Sequence, residues 1–188
     1  MAAAPARAAR SARWLIGLAA FACRSENTPS TLDLALPDGS GQHTELSARS
    51  AFAEYVELPD LRKELRITLA SYALSCEEYV APGADDLSLV VTITAPAAEP
   101  LAPGVFASAT PEPADAGAKV TRASSLVVAR RGARSFVFPP GGSIELRELD
   151  VTPTGFVRGL LAYEFPGDGV RPAAGARGKF DARMCRGK

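Results

Sequence analysis

The sequence predicts an all-β protein, an antiparallel β-sandwich of about eight to ten short strands stapled by one disulfide. Beyond residue 30, apolar residues recur mainly at every second position, the period that places side chains on one face of a strand. Proline or glycine interrupts this pattern every ~8 to 12 residues, a spacing typical of β-sandwiches. The chain has 188 residues, 47% of them hydrophobic, which is enough for one domain with a buried core.

Three alternating segments give the first predicted strands. The clearest spans residues 87–94, where apolar side chains alternate with smaller or polar ones. Its face with Thr92 and Thr94 should be the more solvated one. Two shorter alternations precede it, at residues 32–36 ahead of a Pro-Asp-Gly turn and at residues 65–69.

The rest of the chain is less regular. Residues 48–58 fit a strand and a helix equally well, and an exposed loop is predicted at the proline-rich residues 110–117. Two glycine-rich stretches, at residues 167–169 and 175–180, lack the spacing of nucleotide-binding loops and are interpreted as hairpin turns. Further strands are predicted at residues 105–106, 120–130, 135–138, 144–151, 155–165 and 178–184.

The first 22 residues have the three parts of an export signal. They contain three arginines and no acidic residue, then a nine-residue apolar run from Trp14 to Ala22, and Cys23 follows. A membrane-spanning helix needs about 20 apolar residues, so this run is too short to be a permanent anchor. The sequence therefore predicts a signal peptide at residues 1–22.

Cleavage before Cys23 has two interpretations. Ala20-Phe21-Ala22 fits ordinary secretion, and the same residues with Cys23 resemble a bacterial lipobox, although that motif prefers leucine at position 20. Three cysteines in an oxidising compartment leave one odd thiol once Cys76 pairs with Cys185, and lipid attachment to Cys23 removes it. We therefore favour a lipoprotein over a soluble periplasmic or secreted protein. Two free thiols are the alternative to the disulfide.

This interpretation divides the chain into a signal at residues 1–22, a lipidated cysteine with a tether at residues 23–30, and a single domain at residues 31–188. The lipid on Cys23 would make the membrane a partner, and the absence of aspartate directly after it suggests the outer membrane. The disulfide should lie at a sheet edge or strand end, because alternation places Cys185 on the polar face of the last strand.

The composition argues against several functional classes. Removing the three signal arginines from 21 basic residues leaves 18 against 21 acidic ones, a mildly acidic balance that argues against a nucleic-acid partner. His43 is the only histidine and lies in a polar, glycine-rich turn, so we interpret it as an exposed loop residue and not as a catalytic base. No serine-hydrolase elbow or clustered zinc ligands occur. We expect no cofactor and no metal.

Four acidic residues form the candidate ion or ligand site: Glu77, Glu78, Asp85 and Asp86. The disulfide would bring them near a basic carboxy-terminal segment that contains Arg177, Lys179, Arg183, Arg186 and Lys188. Solvated ion pairs are the simplest interpretation. A calcium site that uses the two aspartates and the paired carboxylates of a glycoside hydrolase are the alternatives.

Five short segments carry a resemblance to a known group of proteins: residues 69–76, 103–104, 141–146, 157–159 and 178–185. They are similar to segments of uncharacterised small secreted or lipid-anchored proteins of myxobacteria and their relatives. The resemblance implies an envelope location and a late disulfide, and it supplies no catalytic residues.

The sequence therefore favours a non-enzymatic, lipid-anchored cell-envelope protein with a β-sandwich binding or structural module and an unknown ligand. The alternatives are a carboxylate-based secreted hydrolase of the glycoside type and a calcium- or carbohydrate-binding module. For sugar stacking the chain beyond the signal offers no tryptophan and only four tyrosines, which are Tyr55, Tyr72, Tyr79 and Tyr163.

Overall fold

The computed structural model describes residues 30–76, 80–108 and 123–185, and every regular element in these ranges is a β-strand. The all-β prediction is confirmed, with eleven strands in place of about eight to ten. The predicted signal peptide, Cys23 and the predicted loop at residues 110–117 lie outside the described residues. The strands are β1 (Thr31–Ala35), β2 (His43–Ser47), β3 (Ser50–Glu57), β4 (Lys63–Ala70), β5 (Leu87–Ala95), β6 (Gly104–Ala107), β7 (Ser124–Arg131), β8 (Arg134–Val137), β9 (Ser143–Leu149), β10 (Phe156–Phe165) and β11 (Ala174–Met184).

Strand β5 shows how the period-two pattern becomes structure. Its apolar residues at positions 87, 89, 91 and 93 are buried, because alternate side chains of a strand point to one face. Thr92 and Thr94 are partly exposed, as predicted for the more solvated face. The ambiguous segment at residues 48–58 contains strand β3, in which Ala53 is completely buried.

All eleven strands are connected by hydrogen bonds in one mixed sheet. We distinguish a β10 portion, made of β2, β1, β11, β10, β9 and β6, from a β4 portion, made of β3, β4, β5, β7 and β8. Among the paired strands, β11 and β3 are parallel and the others are antiparallel. The antiparallel prediction is wrong for this pair. A sandwich of two separate sheets is not confirmed, because β11 joins the two portions.

One apolar core is shared by both portions. Leu34 of β1 and Ile144 of β9 belong to the same buried cluster as Leu65 of β4 and Leu89 of β5. At one end of this core, the ring of Phe138 meets the ring of Tyr163 edge to face, with 5.3 Å between their centroids. Burial of these large side chains against one another supplies the main force that holds the portions together.

The disulfide reinforces the narrow junction between the portions. Strands β11 and β3 pair over two positions: Arg183 with Phe52, and Met184 with Ala53. Cys185 follows β11 directly, its backbone N–H donates to the Ala53 carbonyl at 2.7 Å, and its sulfur is bonded to Cys76, with 5.6 Å between the Cα atoms. The predicted bond is present, and it lies at a strand end as expected.

Removing this disulfide should destabilise the protein strongly. We expect the pair of changes Cys76→Ser and Cys185→Ser to lower the free energy of unfolding by about 2–5 kcal/mol, because a cross-link over 109 residues restricts the unfolded chain. Urea unfolding followed by circular dichroism measures the difference. Cys23→Ser, which leaves the bond intact, is the control. Equal stability of the double variant and the unchanged protein would contradict this expectation.

A glycine allows the close contact between β9, β10 and β11. Gly159 pairs with Phe180, next to a register shift between β10 and β9. A Cβ atom on Gly159 would lie 2.1 Å from the Glu145 carbonyl oxygen and 2.6 Å from Cζ of Phe180. The phenyl ring therefore occupies the space that a side chain would need.

We expect Gly159→Ala to lower the free energy of unfolding by about 1–3 kcal/mol, because the added methyl group must displace backbone or ring atoms. Gly104→Ala on β6 is the matched control, since its nearest atom lies 4.0 Å away, and we expect a change within about 0.5 kcal/mol. Urea unfolding of both variants gives the comparison. Similar values for the two would mean that the packing at Gly159 is not rigid.

Candidate functional site

The predicted acidic site is described only in part. Glu77 and Glu78 lie outside the described residues, whereas Asp85, which is exposed, and Asp86, which is half-buried, lie at the turn before β5. The Asp86 carboxylate accepts a 2.7 Å hydrogen bond from the Gly83 N–H, as a turn-forming aspartate does. Within the described ranges, no group of three or more histidine, cysteine or acidic residues is placed to hold a metal ion.

The predicted contact between the acidic and basic segments also differs from the structure where both are described. Arg177 pairs with Glu164 of the neighbouring strand, and no ion pair within the described ranges joins Asp85 or Asp86 to β11. Arg186 and Lys188 lie outside those ranges. The structure instead places charged side chains together at the opposite end of β11.

A cleft of about 270 Å³ opens at the start of β11, on the outer face of the β10 portion. We call it the β11 cleft. Three charged side chains and the histidine line it, and each comes from a different strand: His43 from β2, Asp33 from β1, Arg177 from β11 and Glu164 from β10. Apolar residues of the β10–β11 loop, including Pro166 and Ala173, line it as well.

Strand register explains why a cleft forms here. One row across the four strands reads His43, Ala35, Gly175 and Glu164, so that two small residues stand between two long ones. Asp33 and Arg177 are directly paired two residues further along. Ala35 is only 8% exposed although it shares the face of exposed Asp33. The row of small residues therefore lies in a recess surrounded by charged side chains.

One exposed ion pair and one exposed contact between a histidine and a carboxylate flank the recess. His43 Nδ1 lies 2.9 Å from Asp33 Oδ2, and Arg177 Nη2 lies 3.3 Å from Glu164 Oε2. The four side chains are between 59% and 75% exposed, and ion pairs in such surroundings contribute about 0–1 kcal/mol each. These pairs can therefore exchange partners with little loss of stability. His43 is exposed as predicted, but it begins strand β2 and does not lie in a loop.

A rigid layer lies beneath the cleft. Tyr163 is 2% exposed, its hydroxyl is 3.3 Å from the Ser108 hydroxyl, and its ring contacts Phe138. Burial raises the pKa of the Tyr163 phenol, because the charged phenolate loses its hydration. Tyr163 therefore stays neutral and supports the cleft from the core side.

The loop from β10 to β11 forms one rim and is held by Asp168. The Asp168 carboxylate accepts hydrogen bonds from the backbone N–H of Arg171 at 2.7 Å and from that of Val170 at 3.1 Å. Nε of Arg171 donates to the same carboxylate at 2.8 Å. The Arg171 guanidinium also lies 4.8 Å from the centroid of the Phe165 ring. This network holds residues 168–171 of the rim together and places the Arg171 guanidinium over the Phe165 ring.

Sequence reasoning missed this site for an identifiable reason. Residues 175–180 were expected to form a hairpin turn, and this prediction is wrong, because they lie inside strand β11. The prediction for residues 167–169 is confirmed, since they lie in the connection from β10 to β11. The alternation of Ala174 and Ala176 with Gly175 and Arg177 is a strand signal of small residues, and it could have indicated the longer strand.

Comparison with protein-family models, curated proteins and solved structures finds no match to this chain. Within the described ranges, no helix has the length and apolar character needed to span a membrane.

The Asp168 network predicts a pH dependence of stability. Hydrogen bonds from the backbone and side chain of Arg171 lower the pKa of Asp168 from 3.8 to about 2. The folded state therefore binds this proton more weakly than the unfolded state, so the contribution is complete above pH ~4 and is lost as the pH falls towards 2.

We expect Asp168→Asn to lower the melting temperature at pH 6, and to flatten its decline between pH 4 and pH 2, because the amide does not titrate. Differential scanning calorimetry across this pH range measures both effects. Asp85→Asn, in an exposed turn outside the rim, is the control. A decline as steep in Asp168→Asn as in the unchanged protein would rule out this assignment.

Proposed function

We propose that this protein is a non-enzymatic, lipid-anchored protein of the bacterial cell envelope, and that its β-sheet presents a ligand-binding surface at the β11 cleft. The observation that carries the proposal is the Cys76–Cys185 disulfide. Such bonds persist in oxidising compartments and are rare in reducing ones. A structural disulfide is consistent with the export signal predicted at residues 1–22, and pairing of two of the three cysteines leaves Cys23 for lipid attachment.

Binding is a better interpretation of the geometry than hydrolysis. Glycoside hydrolysis needs two carboxyl groups that face each other across a substrate. Asp85 and Asp86 are neighbours at the turn before β5, and the second of them is hydrogen-bonded to its own loop. The two carboxylates of the β11 cleft, Asp33 and Glu164, each accept a close contact from a basic side chain. Both carboxylates are therefore already engaged by side chains of the protein itself.

The calcium and carbohydrate alternatives have less support. Calcium sites use six to eight oxygen ligands, and the described part of the acidic segment supplies Asp85 and Asp86 in a turn that a backbone N–H already caps. Sugar binding needs exposed aromatic faces. Tyr163 is buried in the core, and Tyr55 packs against the core cluster.

The lipid anchor is tested by expressing the full chain in a Gram-negative host with a clickable fatty acid. We expect the unchanged protein to carry the label and to sediment with the membranes, because cleavage before Cys23 exposes its thiol and amine for acylation. Cys23→Ser should lose the label completely. The double variant Cys76→Ser with Cys185→Ser is the matched control, because it removes the two disulfide-bonded cysteines and retains Cys23.

The other outcomes have definite meanings. Unlabelled protein in the soluble periplasm, with an intact disulfide, would show that the protein is exported by ordinary secretion and carries no lipid anchor. Full-length protein in the cytoplasm, with reduced cysteines, would overturn the proposal as a whole.

A further inference from the structure

We propose that the β11 cleft binds a small zwitterion, an α-amino acid or a dipeptide with free ends, through both its carboxylate and its ammonium group. This inference deepens the proposed function, and it rests on that function only in treating the cleft as the binding surface.

The charges around the recess favour a ligand with both signs. Arg177 supplies a cation, Asp33 and Glu164 supply two anions, and His43 contacts the first of these acids. A ligand with only a negative charge would be attracted by one guanidinium but repelled by two carboxylates. A ligand with only a positive charge would be repelled by Arg177. A zwitterion can place its carboxylate on Arg177 and its ammonium group between the two acids.

The dimensions of the recess favour a small occupant. Its volume of about 270 Å³ lies just below the usual range of ligand pockets, roughly 300–1,000 Å³. The recess exists because the small residues Ala35 and Gly175 occupy the middle of the row of side chains that runs across β2, β1, β11 and β10. An added Cβ on Gly175 would lie 3.5 Å from the Tyr163 carbonyl oxygen and 3.8 Å from the Ala35 Cβ, so that a side chain fits there and would fill the recess.

The existing ion pair is suited to exchange. Arg177 contacts Glu164 at 3.3 Å in an exposed geometry, which is weaker than a two-pronged contact between guanidinium and carboxylate. A ligand carboxylate that binds two nitrogens of the guanidinium group can replace Glu164. The released Glu164 carboxylate then accepts a hydrogen bond from the ligand ammonium group. No charge is left without a partner.

The rim limits the size of the ligand side chain. Pro166 and Ala173 line the cleft from the β10–β11 loop, which Asp168 holds in place through its bonds to Arg171. This apolar rim suits a small aliphatic side chain. We therefore take alanine and the dipeptide Ala-Ala as probes.

The test is a titration of the isotope-labelled full chain, purified in detergent, followed by amide chemical shifts. We expect saturable shifts of β1, β10 and β11 resonances with Ala-Ala or with free alanine. Saturation by alanine alone identifies the amino acid as sufficient, and saturation only by Ala-Ala identifies the dipeptide. N-acetyl-Ala-Ala and Ala-Ala-amide each lack one charge, and each should bind at least about tenfold more weakly.

Three variants of the chain complete the test. Arg177→Ala should weaken binding at least about tenfold, because it removes the contact to the ligand carboxylate. Gly175→Val should fill the recess and abolish the shifts. Arg147→Ala is the matched control, because Arg147 forms a similar exposed ion pair with Glu145 on β9 and is not among the cleft residues. An unchanged spectrum for the strands away from the substitution verifies that each variant is folded.

Several results would overturn the inference. The first is the absence of saturable shifts with either probe. The second is an affinity for the capped dipeptides equal to that for the uncapped probe. The third is an equal loss of probe affinity in Arg177→Ala and in Arg147→Ala. The titration does not depend on the lipid anchor. Failure of fatty-acid labelling would therefore contradict the lipid anchor but not the zwitterion site. Failure of the titration would contradict the zwitterion site but not the lipid anchor.

Discussion

The fold depends on one strand of the β10 portion that also pairs with a strand of the β4 portion. Strand β11 pairs with β10 over ten positions and with β1 over five, and then continues beside β3 for two more. Beyond this pairing, the portions meet through side-chain packing, the bridge between Ser108 and Ser125, the hydrogen bonds from Ser125 to the Phe106 carbonyl and from Arg131 to Thr44, and the disulfide. The Cys76–Cys185 bond holds β11 at the point where its own hydrogen bonding is shortest.

Strand β11 also separates the disulfide from the β11 cleft, which lie at its two ends. Gly175 and Cys185 are ten residues apart, which corresponds to roughly 33 Å along an extended strand. The disulfide therefore acts on the cleft only through the rigidity of β11 and the core beneath it. Ligand exchange at Arg177 can proceed by side-chain motion, because the backbone of this strand is bonded on both sides, to Ala162 and to Asp33.

Sequence periodicity predicts strands well where large apolar side chains alternate and poorly where small ones do. Strand β5 alternates in this way and was predicted with nearly its observed limits. Strand β2 has a single buried residue, Leu46, so its sequence contains no apolar alternation that would predict a strand. The start of β11 uses small inward residues because other strands fill the space: a Cβ on Gly178 would lie 2.7 Å from Cδ2 of Leu32. The parallel pairing of β11 with β3 was also unpredictable, because alternation is the same in either direction.

The cleft could not be predicted, because it is a property of strand register. Asp33 and Arg177 are 144 residues apart in the chain and directly paired in the sheet, whereas the adjacent acids Asp85 and Asp86 form only a capped turn. Searching the sequence for clustered acidic residues selects residues 77–86 and gives no indication of the cleft. What distinguishes the cleft is the row of small residues between charged ones, and in a sheet such a row appears only after four strands have been aligned. A small residue on the outer face of a strand is thus as informative about a binding site as the charged residues beside it.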